Sequence, residues 1–177
     1  KLFKILLLIK MSKYPIILNR KKYLDERGYL TEISESRFIK KNKLKKVLLT
    51  SSKKNVIRGF HFQRKKPINQ LVICIKGKIL DVVIDLRKES KNFGKYKTYI
   101  LSEKDNKSLF VPGNFAHGYL SLGKENIIMY LQDEKYIKKY DSGIIWNDST
   151  INFKWPVKHP IISQKDQNLP KLYYAKI

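Results

Sequence analysis

Three histidines are the side chains of this chain whose ordinary titration lies nearest neutral pH, where proton transfer is easiest. His61 sits between two phenylalanines in "GFHFQ", just ahead of a run that alternates like a β-strand. His117 follows a Pro-Gly turn in "VPGNFAHGYL" and precedes a strand-like run, and His159 lies in "VKHP". Strands distant in sequence can aim side chains into one cavity when a sheet closes into a barrel. His61 and His117 could therefore share a pocket, although a lone histidine beside aromatics is more often a packed core group. A metal is the first chemistry to weigh. The residue two after His61 is Gln63, a poor ligand, no carboxylate stands at ligand spacing, and no Cys-x-x-Cys pair exists. No metal and no cofactor are expected.

The elements that must position these groups are short. Residues 4–9 and 15–18 read as strands, and "LDERGYLTEI" as a turn at Asp25–Gly28 leading into another. "ISESRFIKKN" opens with a cap signal and suits a short helix. "KKVLLTS" and "VIRGFHFQ" read as strands, the second with Gly59 in its middle, which suggests a bulge or a close backbone approach. "NQLVICIKGKILDVVIDLR" reads as two strands around a tight turn at Lys76-Gly77. "KYKTYILS" and "LFVP" follow, "GYLSLG" and "NIIMYLQD" read as a further pair, and "SGIIWND" and "INFKWP" come last. A polar C-terminal tail, residues 157–177, ends in a candidate short helix. Many short strands with regular turn signals predict an all-β jelly roll, barrel or sandwich, with a few short helices.

Length and composition bound the rest. The 177 residues suffice for one domain with its own core, and no internal repeat or linker divides residues 1–177. "KLFKILLLIK" is apolar but falls short of the roughly 20 residues a spanning helix needs. No membrane association is expected, and Met11 offers an alternative start that would make residues 1–10 an upstream extension. The net charge of +23 points toward nucleic acid, but lysine is scattered over nearly every loop and far outnumbers arginine, the better reader of phosphate and base edges. A solvated lysine surface and an anionic small ligand fit it better. One cysteine, Cys74, permits no internal disulfide and suits the reducing cytoplasm.

Five motifs, in order and spacing, carry a resemblance. "DERGYLTE", "VIRGFHFQ", "LVICIKGKILDVVIDLRKESKNFGKY", "LFVPGNFAHGYLSL" and "IIWNDSTINFKWP" are similar to the dTDP-4-dehydrorhamnose 3,5-epimerase family, from about Tyr14 to Asp166. The resemblance implies a cupin-like jelly roll, a metal-free homodimer with an exchanged N-terminal segment, and a nucleotide-linked 4-keto-6-deoxy sugar as substrate. Protons on C3 and C5 of such a sugar are acidified by the C4 ketone. A base removes one, an enolate forms, and a proton returns on the opposite face. The product would feed deoxysugar and surface polysaccharide synthesis.

The same resemblance implies the roles. His61 is the base, Asp166 in "SQKDQNLP" the carboxylate that fixes its tautomer, and Tyr130 in "IIMYLQD" the acid. His117 lines the pocket, with Asp81 as its supporting partner. Arg27 and Arg58 hold the diphosphate, Arg27 in the neighbouring subunit's site, and Gln63 and Tyr136 attend the nucleotide end. Three positions depart from the family pattern. Gln70 stands where a lysine is usual near the sugar, Lys46 and Leu48 stand where amides are usual, and Asn114 replaces a turn glycine. Gln70 keeps a hydrogen-bond donor but brings no charge to an enolate. Two alternatives follow: a 3- or 5-epimerase acting on a different nucleotide sugar, and a non-catalytic jelly roll that binds one.

Overall fold

The computed structural model describes residues 12–33 and 44–177. The strand expected over 4–9 and most of the helix expected over 33–42 lie outside the described residues. Thirteen strands dominate what is described, and they sort into two facing sheets and a hairpin. The first sheet runs β1 (Ile16–Asn19), β9 (Lys107–Val111), β6 (Gln70–Lys76), β11 (Glu125–Gln132), β4 (Lys46–Lys53). The second runs β12 (Asp141–Gly143), β5 (Val56–Gln63), β10 (Phe115–Ser121), β7 (Lys78–Asp85), β8 (Tyr96–Ser102), with β13 (Ile161–Ile162) parallel to β5. The hairpin pairs β2 (Lys22–Asp25) with β3 (Gly28–Thr31). This is the expected jelly roll, with α1 (Gln164–Gln167) and two short 3-10 turns as its helical content among the described residues.

Both faces of each sheet carry apolar cover, which explains why "LVICI" and "DVVID" read as nearly continuous apolar runs. On β6, Val72 and Cys74 face the other sheet, while Leu71 and Ile73 pack on the outer face with Phe110 and Leu131. On β7, Ile79 and Val83 point inward, while Val82 and Ile84 pack outward against Trp155 and Leu172. Period-two alternation puts Asp81, and likewise His117 and Tyr119 of β10, on the inner face. The core between the sheets fills one end with Leu101, Leu109 and Ile128 and leaves the other end open.

Two pairings expected from the sequence come out differently. β6 and β7 are joined at Gly77, yet they lie in different sheets, and so do β10 and β11. The chain turns a corner there rather than closing a hairpin. Gly77 has φ +82°, and a Cβ there would collide with the Glu125 carbonyl, so only glycine fits the corner. Asn126 Oδ1 ties the two corners together by accepting from the Lys78 and Gly123 amides. "INFKWP" forms no strand; its Ile151, Phe153 and Trp155 instead cover the outer face of the second sheet. The C-terminal segment is not a solvated tail either, since Asp166 and Leu172 are buried.

Candidate active site

The expected irregularity at Gly59 sets the site's geometry. Arg58 pairs with Tyr119 and His61 with His117 across β5 and β10, so three steps on one strand oppose two on the other. A regular strand would send Arg58 and His61 to opposite faces; the bulge returns both to the inner face. Gly59 has φ +107°, and a Cβ there would meet Gly118 Cα and the His117 carbonyl at 2.7 Å. The bulge also turns the Gly59 amide outward to Asp166 Oδ2, 3.1 Å away.

Asp166 is delivered by the C-terminal segment. β13 fastens onto the start of β5, and Ser163 then caps α1 by accepting from the Asp166 amide. That seats Asp166 Oδ1 3.0 Å from His61 Nε2. Burial alone would raise the Asp166 carboxyl, but the hydrogen bond and charge of His61, with the Gly59 amide, hold it below the ordinary carboxylate range. With Nε2 engaged, His61 Nδ1 makes no hydrogen bond among the described residues, and the ring lines the cavity.

The open end between the sheets is a cavity of about 400 Å³. Its walls hold His61, Arg58, His117, Gln63, Gln70, Tyr130, Tyr136 and Asp166. Tyr130 comes from β11 of the first sheet and His61 from β5 of the second, so the two face the space from opposite walls. Burial raises the Tyr130 hydroxyl well above its ordinary value, with Tyr119 and Asp81 adding to the effect, so Tyr130 stays protonated.

A second histidine–carboxylate pair lies deeper. His117 Nδ1 is 3.1 and 3.2 Å from the two Asp81 oxygens, and Nε2 is 2.8 Å from Gln70 Nε2. Complete burial pushes the Asp81 carboxyl up, and His117 pulls it only part of the way back. Gln70 thus occupies the place expected for a lysine and gives the ring an uncharged partner.

The remaining expected residues divide. Arg58 is oriented by Ser52 Oγ and the Ser51 carbonyl, each 3.1 Å away, which leaves Nη1 at the cavity edge with no partner among the described residues. Gln63 lines the wall, but its amide is spent on backbone: it donates to Lys66 and Lys135 carbonyls and accepts from the Ile137 amide. Gln63 thereby supports the loop bearing Tyr136, which stands half exposed on the rim and donates to Asp141. Arg27 is far from this cavity in sequence and setting, exposed at the hairpin tip and paired with Asp25. Residues not foreseen are Gln132, whose amide donates to Gln70 Oε1 at 3.1 Å, and Lys165, which pairs with Asp141 at the rim. Gln132 could have been found, because it lies two residues after Tyr130 on the same strand face. Among the described residues no three His, Cys, Asp or Glu side chains converge on a point where an ion could sit.

Comparison with known proteins agrees with this fold. The model of the dTDP-4-dehydrorhamnose 3,5-epimerase family matches residues 13–173. The enzyme of that name from Methanothermobacter thermautotrophicus is 41% identical over 160 residues, 86% of each chain. That from Shigella flexneri is 36% identical over 167 residues, covering 90% of this chain and 92% of the other. Among solved structures, the Bacillus anthracis enzyme with TDP and PPi bound superposes with a TM-score of 0.84 at 36% identity, over 89% of this chain and 94% of its own. The Legionella pneumophila dTDP-6-deoxy-D-glucose-3,5-epimerase, in complex with dTDP-4-keto-L-rhamnose, reaches 0.87 at 26% identity, over 93% and 90%. The chain belongs to the dTDP-4-dehydrorhamnose 3,5-epimerase family.

Proposed function

We propose that this chain is an isomerase that epimerises a dTDP-linked 4-keto-6-deoxy sugar at C3 and C5. The observation that carries it is the pairing of a carboxylate-held histidine on one wall with a protonated tyrosine on the other. His61 Nδ1 takes the proton from carbon, and Asp166 stabilises the imidazolium that results. Tyr130 returns a proton from the opposite wall, which inverts the centre. Gln70, whose amide has a second N–H, supplies an uncharged hydrogen bond for the ketone oxygen as negative charge develops there, and His117 holds that amide in place. Arg58 faces the diphosphate with Nη1, and Lys165 stands beside it on the rim. Tyr136 is placed for the nucleotide end; Gln63 serves it indirectly through the loop.

The working form is a homodimer in this reading. The β2–β3 hairpin exposes Tyr23, Leu24, Tyr29 and Leu30, an apolar surface a second copy would cover, and Arg27 at its tip would reach the neighbour's diphosphate. Sedimentation at micromolar concentration checks the dimer, and a monomer at that concentration argues against the exchanged hairpin. Residues 1–177 act as one domain, and the lone cysteine supports a cytoplasmic location.

The decisive experiment is incubation with dTDP-4-keto-6-deoxyglucose in D2O, followed by NMR. Deuterium at both C3 and C5 is expected. Label at one carbon alone would select the single-site reading, and label at neither would exclude this substrate.

A further inference from the structure

Four side chains from four strands form one line of hydrogen bonds through the wall of the cavity. Gln132 on β11 donates to Gln70 Oε1 on β6 at 3.1 Å, Gln70 Nε2 meets His117 Nε2 on β10 at 2.8 Å, and His117 Nδ1 meets Asp81 on β7 at 3.1 Å. The line has a direction. With Asp81 ionised, the proton belongs on His117 Nδ1, so Nε2 is a bare acceptor and Gln70 must present its N–H. Its carbonyl then needs a donor on the other side, and Gln132 supplies one. Gln70 and Gln132 lie opposite each other in the β6–β11 register, which makes the amide–amide contact a direct cross-strand pair.

We propose that Gln132 is a positioning residue: by holding the Gln70 carbonyl it keeps the N–H face of that amide on His117 Nε2, and so reinforces the His117 tautomer that Asp81 favours. This rests on the epimerase reading only for its effect on rate. A second observation marks Gln132 as poised rather than satisfied. Its Oε1 is buried and has no hydrogen-bond partner among the described residues. An orphaned buried acceptor is costly, and here it has a use. If the Asp81–His117 pair gains a proton, Nε2 becomes a donor. Gln70 then turns its carbonyl to the ring, and its N–H swings to Gln132, whose amide rotates to offer Oε1. The two amides together can serve the pair in either protonation state without carrying charge. A lysine at position 70 could serve only the unprotonated ring.

The titratable groups facing this pair come from every neighbouring strand: His61 on β5, Tyr99 on β8, Tyr119 on β10 and Tyr130 on β11. Burial raises the hydroxyls of Tyr99 and Tyr130, and the His61→Asn variant serves as the control for any effect transmitted from the facing histidine.

The test is nitrogen NMR of protein labelled with 15N-histidine. Three histidines keep the spectrum assignable, using His61→Asn and His159→Asn variants. In the ligand-free parent at pH 8, His117 should show protonated Nδ1 and bare Nε2. In Gln132→Met, which keeps the volume but loses both amide groups, that single tautomer should give way to a mixture. Its kcat should fall about fivefold, the size of one neutral hydrogen bond, with KM within about twofold. A folded Gln132→Met protein with the parental His117 tautomer and kcat overturns the proposal. Gln70→Glu provides the second arm: its carboxylate accepts from Gln132 and from His117 Nε2–H together. His117 should then stay doubly protonated to higher pH, by about one to three pH units. An unmoved His117 titration there overturns the proposal whether or not the methionine variant folds. The tautomer needs no substrate, so failure to epimerise the dTDP sugar would sink the function while leaving this result standing.

Discussion

The cavity holds two histidine–aspartate pairs that face each other in register across β5 and β10, and they are built for different work. His61 is 35% exposed, binds its carboxylate through Nε2 and leaves Nδ1 without a hydrogen bond among the described residues. His117 is 9% exposed, binds its carboxylate through Nδ1 and spends Nε2 on Gln70. The carboxylates differ as well. Asp166 arrives on a four-residue helix near the surface, meets a backbone amide as well as the ring, and is held below its ordinary value. Asp81 sits in the sheet interior with no exposure and is pushed above its own. One pair has a ring nitrogen with no hydrogen bond among the described residues and, beside the ring, a carboxylate held below its ordinary value. The other is a wall group whose two ring nitrogens are both engaged. The proposed base is the ring that still has a nitrogen to offer.

Removing each ring tests that contrast most severely. His61→Ala should lower deuterium incorporation from D2O by about 10²–10⁴-fold, the usual worth of a positioned base. His117→Ala should retain measurable exchange, because it removes a wall group. Equal losses in the two variants would erase the distinction. Tyr130→Phe separates removal from return of the proton: epimerised product should drop by about 10²-fold or more while the substrate's own carbon still exchanges through His61. Proton NMR of the recovered sugar reads both quantities in one sample.

The two pairs are not equally legible in the sequence. His61 and Asp166 are far apart along the chain, and nothing in a local pattern joins them; only their places within the family motifs do. Their meeting depends on a parallel pairing of two residues, Ile161–Ile162, with β5, too short to show as periodicity. Asp81 and His117, by contrast, sit on strands whose apolar runs are plain. What periodicity does not show is the sheet each strand enters. A two-strand run around Lys76-Gly77 reads the same whether the chain makes a hairpin or a corner, and the glycine alone does not choose. The apolar residues of "INFKWP" are legible as buried material but not as a non-strand, because burial on an outer sheet face leaves the same signature. Gln132 carries no titration to draw notice, and only its spacing from Tyr130 puts it on the cavity face.

Gln70→Lys would move the deep pair toward the family's usual charge. The introduced ammonium can donate to His117 Nε2, and the orphaned Gln132 Oε1 can turn to accept from it. A cation beside the developing enolate oxygen should raise kcat by about tenfold, the scale of one charge-assisted hydrogen bond. Single-turnover NMR in D2O reads the step directly. An unchanged rate would mean that this cavity stabilises the oxyanion from elsewhere, with Arg58, a cation of the cavity wall, the next to examine.

The smallest effect is on stability, and its sign differs between the pairs. Asp166 has a lowered carboxyl, so its contribution to folding is present above the ordinary carboxylate range and is lost as pH falls through the lowered value. Asp81 has a raised one. Its protonated form is the one the fold favours, so its contribution is present at low pH and is lost as pH rises through the raised value. Asp166→Asn should cost about 1–3 kcal/mol near pH 7, where a charge-assisted bond is lost, and progressively less only as pH falls below the ordinary carboxylate value of about 3.9. Asp81→Asn should show the reverse slope: relative to the parent it gains stability as pH is raised from about 3.5 to 7, because the variant no longer buries a carboxylate that must ionise. Thermal melts of the three proteins from about pH 7 down to well below the ordinary carboxylate value of about 3.9 give the comparison. Parallel slopes would show that the two carboxylates share one electrostatic environment, and the division of labour between the histidines would then have to rest on exposure alone.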